Sequence, residues 1–182
     1  LVYHSRLAPV KNLHFLLPLL REVKGELTLS IYGPEKDAEY LEKCQRLAAG
    51  LPSRVRVDFL GPVSPIAMTE KLAPHHFSIL PTMGENFGHS IFEGLLAGKP
   101  VIISDRTPWK HLKEKEIGWD CSLEKPEAFV QALQAAVDMD QQIYDHWSHS
   151  AWQFAADYKS QPEWIEATRS LFLQPTTTFT SR

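Results

Sequence analysis

The chain has 182 residues, 43% of them hydrophobic and 23% charged. This is ordinary globular usage, which excludes disordered and fibrous classes and supplies one hydrophobic core. A formal net charge of −3 lacks the basic excess of a nucleic-acid binder, so nucleic acid is not an expected partner.

Cys44 and Cys121 stand far apart, without the spacing of a zinc site or a disulfide framework, and read as two reduced thiols. No apolar run reaches the ~20 residues that span a bilayer, and no basic-then-apolar signal opens the chain. A soluble cytoplasmic domain is expected. The first residue is Leu1, already inside a strand-like run, which suggests a piece of a longer protein.

Taken in order, short β-rich runs alternate with amphipathic stretches, the pattern of βαβ units that build a parallel sheet covered by helices. Strands are predicted at Leu1–His4, Leu27–Tyr32, Val55–Phe59, Phe77–Leu80 and Val101–Ser104, with a weaker one at Trp119–Ser122. Helices are predicted at Asn12–Val23, Ala38–Ala49, Pro65–Leu72, Ser90–Ala97 and Trp109–Glu114. Gly98 and Pro100 stop a helix and lead into Val101–Ile103. Beyond Lys125-Pro126 the pattern is all α. Phe129, Leu133 and Val137 share a face, and two further helices are expected around Ile143–Tyr158 and Glu163–Leu173. One unit over 1–174 and a frayed Thr-rich tail over 175–182 complete the reading.

In an open α/β sheet ligands bind beyond the carboxyl ends of the strands, so the loops after the strands hold the candidate site. After the first run come Arg6 and Lys11, the latter at the start of the next helix. A planar guanidinium, a mobile ammonium and helix N–H groups suit a diphosphate, although two solvated surface charges would look the same. Gly33 follows the second run, and Gly61 and Val63 follow the third. Each is a place where backbone can approach a ligand or read the edge of a base, or simply a turn.

The loop after the fourth run is richer: Pro81-Thr82-Met83-Gly84-Glu85-Asn86-Phe87-Gly88-His89-Ser90-Ile91-Phe92-Glu93. It enters a helix, so Glu85 and Glu93 can face one cleft together with backbone N–H groups. Carboxylates accept paired hydrogen bonds from vicinal sugar hydroxyls. His89 is placed either as a ligand contact or as a helix cap. His75 and His76 precede a strand, at the opposite edge of the sheet, and read as structural or surface residues. Trp147, Trp152 and Trp164 read as packing, with part of that aromatic surface a candidate former interface.

The stretch Pro81–Val101 resembles the donor-site signature of the retaining GT-B glycosyltransferases of group 1. That signature runs Pro-Ser, Glu-x-Phe-Gly, Glu-Ala, Gly-x-Pro-Val, and here seven residues separate Glu85 from Glu93 as it requires. The resemblance extends from Leu1 to about Ser122 through Arg6 and Lys11, Gly33-Pro34, Phe59-Leu60-Gly61 and Pro100–Ile103. It implies a Rossmann-like C-terminal donor domain with a parallel sheet of about six strands.

By resemblance, Arg6 and Lys11 bind the donor diphosphate, Glu93 the ribose and Glu85 the transferred sugar. Asn86, Phe87 and Gly88 would offer backbone donors to sugar hydroxyls, with His89 and Ser90 beside them. The implied substrate is a UDP- or GDP-linked sugar, with retention of configuration, no bound metal and no further cofactor. A surface polysaccharide or similar glycan would be the product. An N-terminal acceptor domain of the same protein would form the other wall, and the full-length enzyme would be compatible with peripheral membrane association. The isolated chain would then be inactive.

Ser5 and Asn12 stand where the family often has glycines, Gly94 replaces an alanine, and Ser104-Asp105-Arg106-Thr107-Pro108-Trp109 replaces a Gly-Gly turn. Two other readings stay open: a GT-B enzyme of different chemistry, epimerase-like or a phosphorylase, and a non-catalytic α/β binding module.

Overall fold

The computed structural model describes residues 1–160. Six strands form one parallel sheet: β1 (Val2–His4), β2 (Leu27–Tyr32), β3 (Val55–Phe59), β4 (Ser78–Leu80), β5 (Val101–Ser104) and β6 (Gly118–Cys121), in the order β3-β2-β1-β4-β5-β6. The central runs are apolar on both faces because helices cover both. All residues of β1, β4 and β5 are buried. The doubly wound parallel sheet of about six strands that the sequence predicts is therefore present.

The helices are α1 (Leu13–Leu19), α2 (Ala38–Ala49), α3 (Pro65–Leu72), α4 (His89–Leu96), α5 (Pro126–Asp138) and α6 (Gln141–Ser160). α1 packs against α2 and α5, whereas α4 packs against α6. Right-handed crossovers that leave β1 for β2 and β4 for β5 travel in opposite directions, which puts α1 and α4 on opposite faces. Asp37 caps α2 by accepting the Tyr40 N–H at 2.9 Å, and Ser64 does the same for α3 from Ala67 at 3.3 Å.

Two predicted helices change. The one expected over Asn12–Val23 is shorter, because Asn12 is left-handed at φ 62° and Pro18 removes an N–H near the end. Lys11 consequently closes a 3-10 turn, Pro9–Lys11, and does not open the helix. Trp109–Glu114 is no helix. His111 and Glu116 have φ of 58° and 57°, and the Asp120 carboxylate accepts the His111 and Leu112 N–H groups at 3.2 and 3.0 Å. The expected helix at Glu163–Leu173, Trp164 and the tail over 175–182 lie outside the described residues. Trp147 is core, its ring tilted against Trp119 at 4.7 Å, while Trp152 is half exposed beside His149.

Candidate functional site

The chain leaves β1 toward β2 and leaves β4 toward β5, so the loops after β1 and β4 flank a switch point, the place where open α/β sheets bind ligands. Backbone bonds tie the β1 loop to its neighbour: Ser5 N–H donates to Tyr32 O at 3.0 Å and Leu7 N–H to Pro34 O at 3.1 Å. Gly33 permits this approach, since a Cβ there would lie 1.9 Å from the Ser5 carbonyl oxygen. The fully buried Tyr3 donates its hydroxyl to the Arg6 carbonyl at 3.2 Å and so fixes the backbone that carries the exposed guanidinium.

The β4 loop is stitched on both sides. Val10 O accepts the Met83 N–H at 2.8 Å and the Thr82 hydroxyl at 3.2 Å, and the Ser104 hydroxyl donates to Thr82 O. Glu85 N–H donates to Arg106 O at 3.1 Å. These bonds deliver Lys11 and Glu85, distant in sequence, into direct contact. The Lys11 ammonium donates to Glu85 Oε1, with the two side chains 14% and 13% exposed. Asn12 takes a left-handed conformation despite not being glycine, so that departure from the family pattern leaves the turn intact.

Gly88 caps α4 at φ 83° and ψ 63°, and no side chain caps that end. The first ladder bond runs from Phe92 N–H to Gly88 O, which leaves the N–H groups of the first turn directed at the switch-point end of the helix. A side chain at 88 would strike the Ile91 Cδ1 at 2.8 Å and crowd the Trp109 indole at 3.4 Å. The capping alternative for His89 is therefore corrected: His89 is the first residue of α4, exposed, with its ring 5.0 Å from that of Phe87. Trp109 donates its indole N–H to the Phe87 carbonyl and stacks on Phe92 at 5.9 Å, which anchors the Glu85–Gly88 segment on the aromatic side of the fold. Asn86 is exposed and Ser90 partly so, in the first turn.

Glu93 lies one turn farther along α4, its side chain 50% exposed. Burial raises its pKa and nearby His89 lowers it. Beneath it is His4, a residue the sequence reading left in the strand, 3.8 Å from Nε2 to Glu93 Oε2. A polar residue ending an apolar run was the available signal.

Gly61 and Val63 sit on the β2–β3 side of the switch point. The Gly61 carbonyl is occupied by the Gly33 N–H at 2.9 Å, so these two glycines close loops on each other. Gly61 has φ 73° and open space where a Cβ would stand, and Val63 packs partly into a small cluster of Val2, Tyr32 and Leu72. His75 and His76 precede β4, their rings edge-on to Tyr32 and Tyr144 at 6.2 and 5.0 Å.

Solved structures share this fold. A variant of S. aureus TarM in complex with fondaparinux, alpha-GlcNAc-glycerol and UDP superposes with a TM-score of 0.75 at 15% identity, over 95% of this chain and 35% of that one. Anabaena HepE in complex with UDP gives 0.74 at 20% identity over 93% and 48% of the two chains. WaaG, a glycosyltransferase involved in lipopolysaccharide biosynthesis, gives 0.70 at 16% identity over 96% and 47%. The chain thus spans less than half the length of these structures. No curated protein matches it in sequence. The family profile described as Glycosyl transferases group 1 matches residues 1–139, and the chain belongs to that family.

Proposed function

We propose that this domain binds the nucleotide-sugar donor of a retaining, metal-independent glycosyltransferase, and that a further domain of a longer protein supplies the acceptor wall. The observation that carries the reading is the Lys11–Glu85 pair at the switch point, with the exposed Arg6 on the same loop and Glu93 one helical turn beyond. UDP in the HepE and TarM complexes supports a nucleoside diphosphate as the ligand class, with UDP or GDP as the candidates.

In this reading Arg6 and Lys11 hold the diphosphate oxygens, and the first-turn N–H groups of α4 face the same charge. Glu93 accepts the ribose hydroxyls and Glu85 the hydroxyls of the sugar, with Asn86, Phe87 and Gly88 alongside. Transfer breaks the bond between the anomeric carbon and the phosphate oxygen. The two cations stabilise the negative charge that grows on the departing diphosphate, and the proton of the acceptor hydroxyl passes to the departing diphosphate oxygen as that hydroxyl bonds to the sugar. Lys11 must exchange Glu85 for phosphate when donor enters, which frees that carboxylate for the sugar. Assembly of a surface polysaccharide or a similar glycan by a cytoplasmic enzyme, peripheral at a membrane, is the proposed setting. Among the described residues no helix is long and apolar enough to cross a membrane.

Calorimetric titration of the chain with UDP, GDP and their nucleosides tests this. Arg6→Ala and Lys11→Ala should each weaken diphosphate binding by about 1.5–3 kcal/mol, as expected for a lost charge-assisted bond, and leave nucleoside binding nearly unchanged. Diphosphate binding that survives both substitutions would put the phosphate site elsewhere and overturn the reading.

A further inference from the structure

The last residue of β1 has no task in the proposed donor chemistry, yet it occupies the switch point itself. His4 is 5% exposed. Strand alternation turns it, with Val2, away from Tyr3 and toward the face that carries α4. On one side its Nδ1 lies 3.4 Å from the Ser78 hydroxyl of the adjacent strand. On the other, Nε2 is buried with no hydrogen-bond partner among the described residues, and it points at Glu93 Oε2 across 3.8 Å.

We infer that His4 is a positioning residue for Glu93: its neutral ring donates Nε2–H to the Glu93 carboxylate and holds that carboxylate toward the ribose of the bound nucleotide. The inference rests on the reading of Glu93 as the ribose ligand. With the Ser78 hydroxyl donating to Nδ1, the ring proton sits on Nε2, where a buried donor needs an acceptor. The nearby Ser90 carbonyl is a second acceptor for the ring proton, so Nε2–H is shared between the α4 backbone and the Glu93 carboxylate beside it. Rotation of the half-exposed Glu93 side chain shortens the 3.8 Å gap to hydrogen-bond length.

Two features make the arrangement a built one. Gly94 lets α4 sit close over β4, since a Cβ there would lie 3.0 Å from Ser78 Cβ and 3.2 Å from its hydroxyl. That closeness brings Glu93 over His4, so the glycine in place of the family's alanine and the histidine belong to one packing unit. Burial also lowers the His4 pKa to about 4, so at neutral pH the ring orients Glu93 without cancelling its charge. A carboxylate held in one rotamer loses less side-chain freedom when the ribose binds.

The test uses calorimetry with UDP and 2′,3′-dideoxy-UDP, run in parallel with the guanosine pair, on the wild type and on His4→Phe, His4→Gln and Glu93→Gln. His4→Phe keeps an aromatic ring and removes the donor. It should cut the preference for the ribose form by about 5–10-fold while leaving dideoxynucleotide affinity unchanged. His4→Gln, whose amide can donate, should restore most of the preference. If His4→Phe does not fold, His4→Leu carries the same arm. Equal loss for both ligand forms would show a packing role and overturn the inference, as would an unchanged preference. If Glu93→Gln also leaves the preference intact, Glu93 is not the ribose ligand and both readings fall. If Glu93→Gln abolishes it and His4→Phe does not, only the His4 inference falls.

Discussion

Lowering the pH from 7 to 5 should destabilise the wild-type chain more than His4→Gln, and the size of the difference follows from burial at the switch point. The ordinary His pKa of 6.5 falls to about 4 in the folded chain, chiefly because the buried ring cannot be hydrated when charged, with a smaller push from His75. The unfolded state therefore binds more protons than the folded state across this window, and stability falls as pH falls. At about 1.4 kcal/mol per pH unit, nearly complete protonation of the unfolded ring at pH 5 against almost none in the folded state gives roughly 2 kcal/mol. Glu93 works in the opposite direction, since a raised carboxyl pKa favours the folded state on acidification, but both chains retain it. Urea unfolding of the two proteins at pH 7 and pH 5 isolates the histidine contribution. Parallel loss of stability in wild type and His4→Gln would refute the claim that the ring is buried and uncharged.

The two glutamates should separate by ligand. Glu93→Gln should weaken both free nucleoside diphosphate and the intact nucleotide sugar. Glu85→Gln should not weaken the diphosphate, because it releases Lys11 from its carboxylate partner, yet in the longer enzyme it should lower transfer by on the order of 10²-fold if that contact strengthens in the transition state. Calorimetry and product assays read these effects, and equal loss of diphosphate affinity in both variants would reverse the assignment. Gly33→Ala should shift the β1 loop, because its Cβ would overlap the Ser5 carbonyl, 1.9 Å away. A stability loss of about 1–3 kcal/mol in urea, accompanied by weakened diphosphate binding, is the expected result. Unaltered binding would show that the Arg6 loop is not held by this contact.

Much of the architecture was legible locally. Runs such as Leu27–Tyr32 and Val101–Ser104 are short, apolar and bounded by glycine or proline, so their strands follow from patterning alone. The loop-to-helix junction that carries Glu85 and Glu93 is likewise readable without any coordinates. Local rules failed where a distant group competes with the backbone. Trp109–Glu114 has a helical composition, but Asp120, reached only after the chain turns back into β6, takes the N–H groups of His111 and Leu112. Gly33 is readable as a ligand approach or a tight turn, but the passage of the Ser5 loop against it depends on tertiary packing.

The sequence by itself determined the order of strands and helices, the residue types at each loop and the family, because these depend on neighbours a few positions apart. Only the tertiary structure decided which charges meet. Lys11 reaches Glu85, and His4 lies under Glu93, because the sheet order sets β1 beside β4. Long-range pairing of this kind is created by crossover direction and close helix-on-sheet packing, neither of which leaves a periodic trace along the chain.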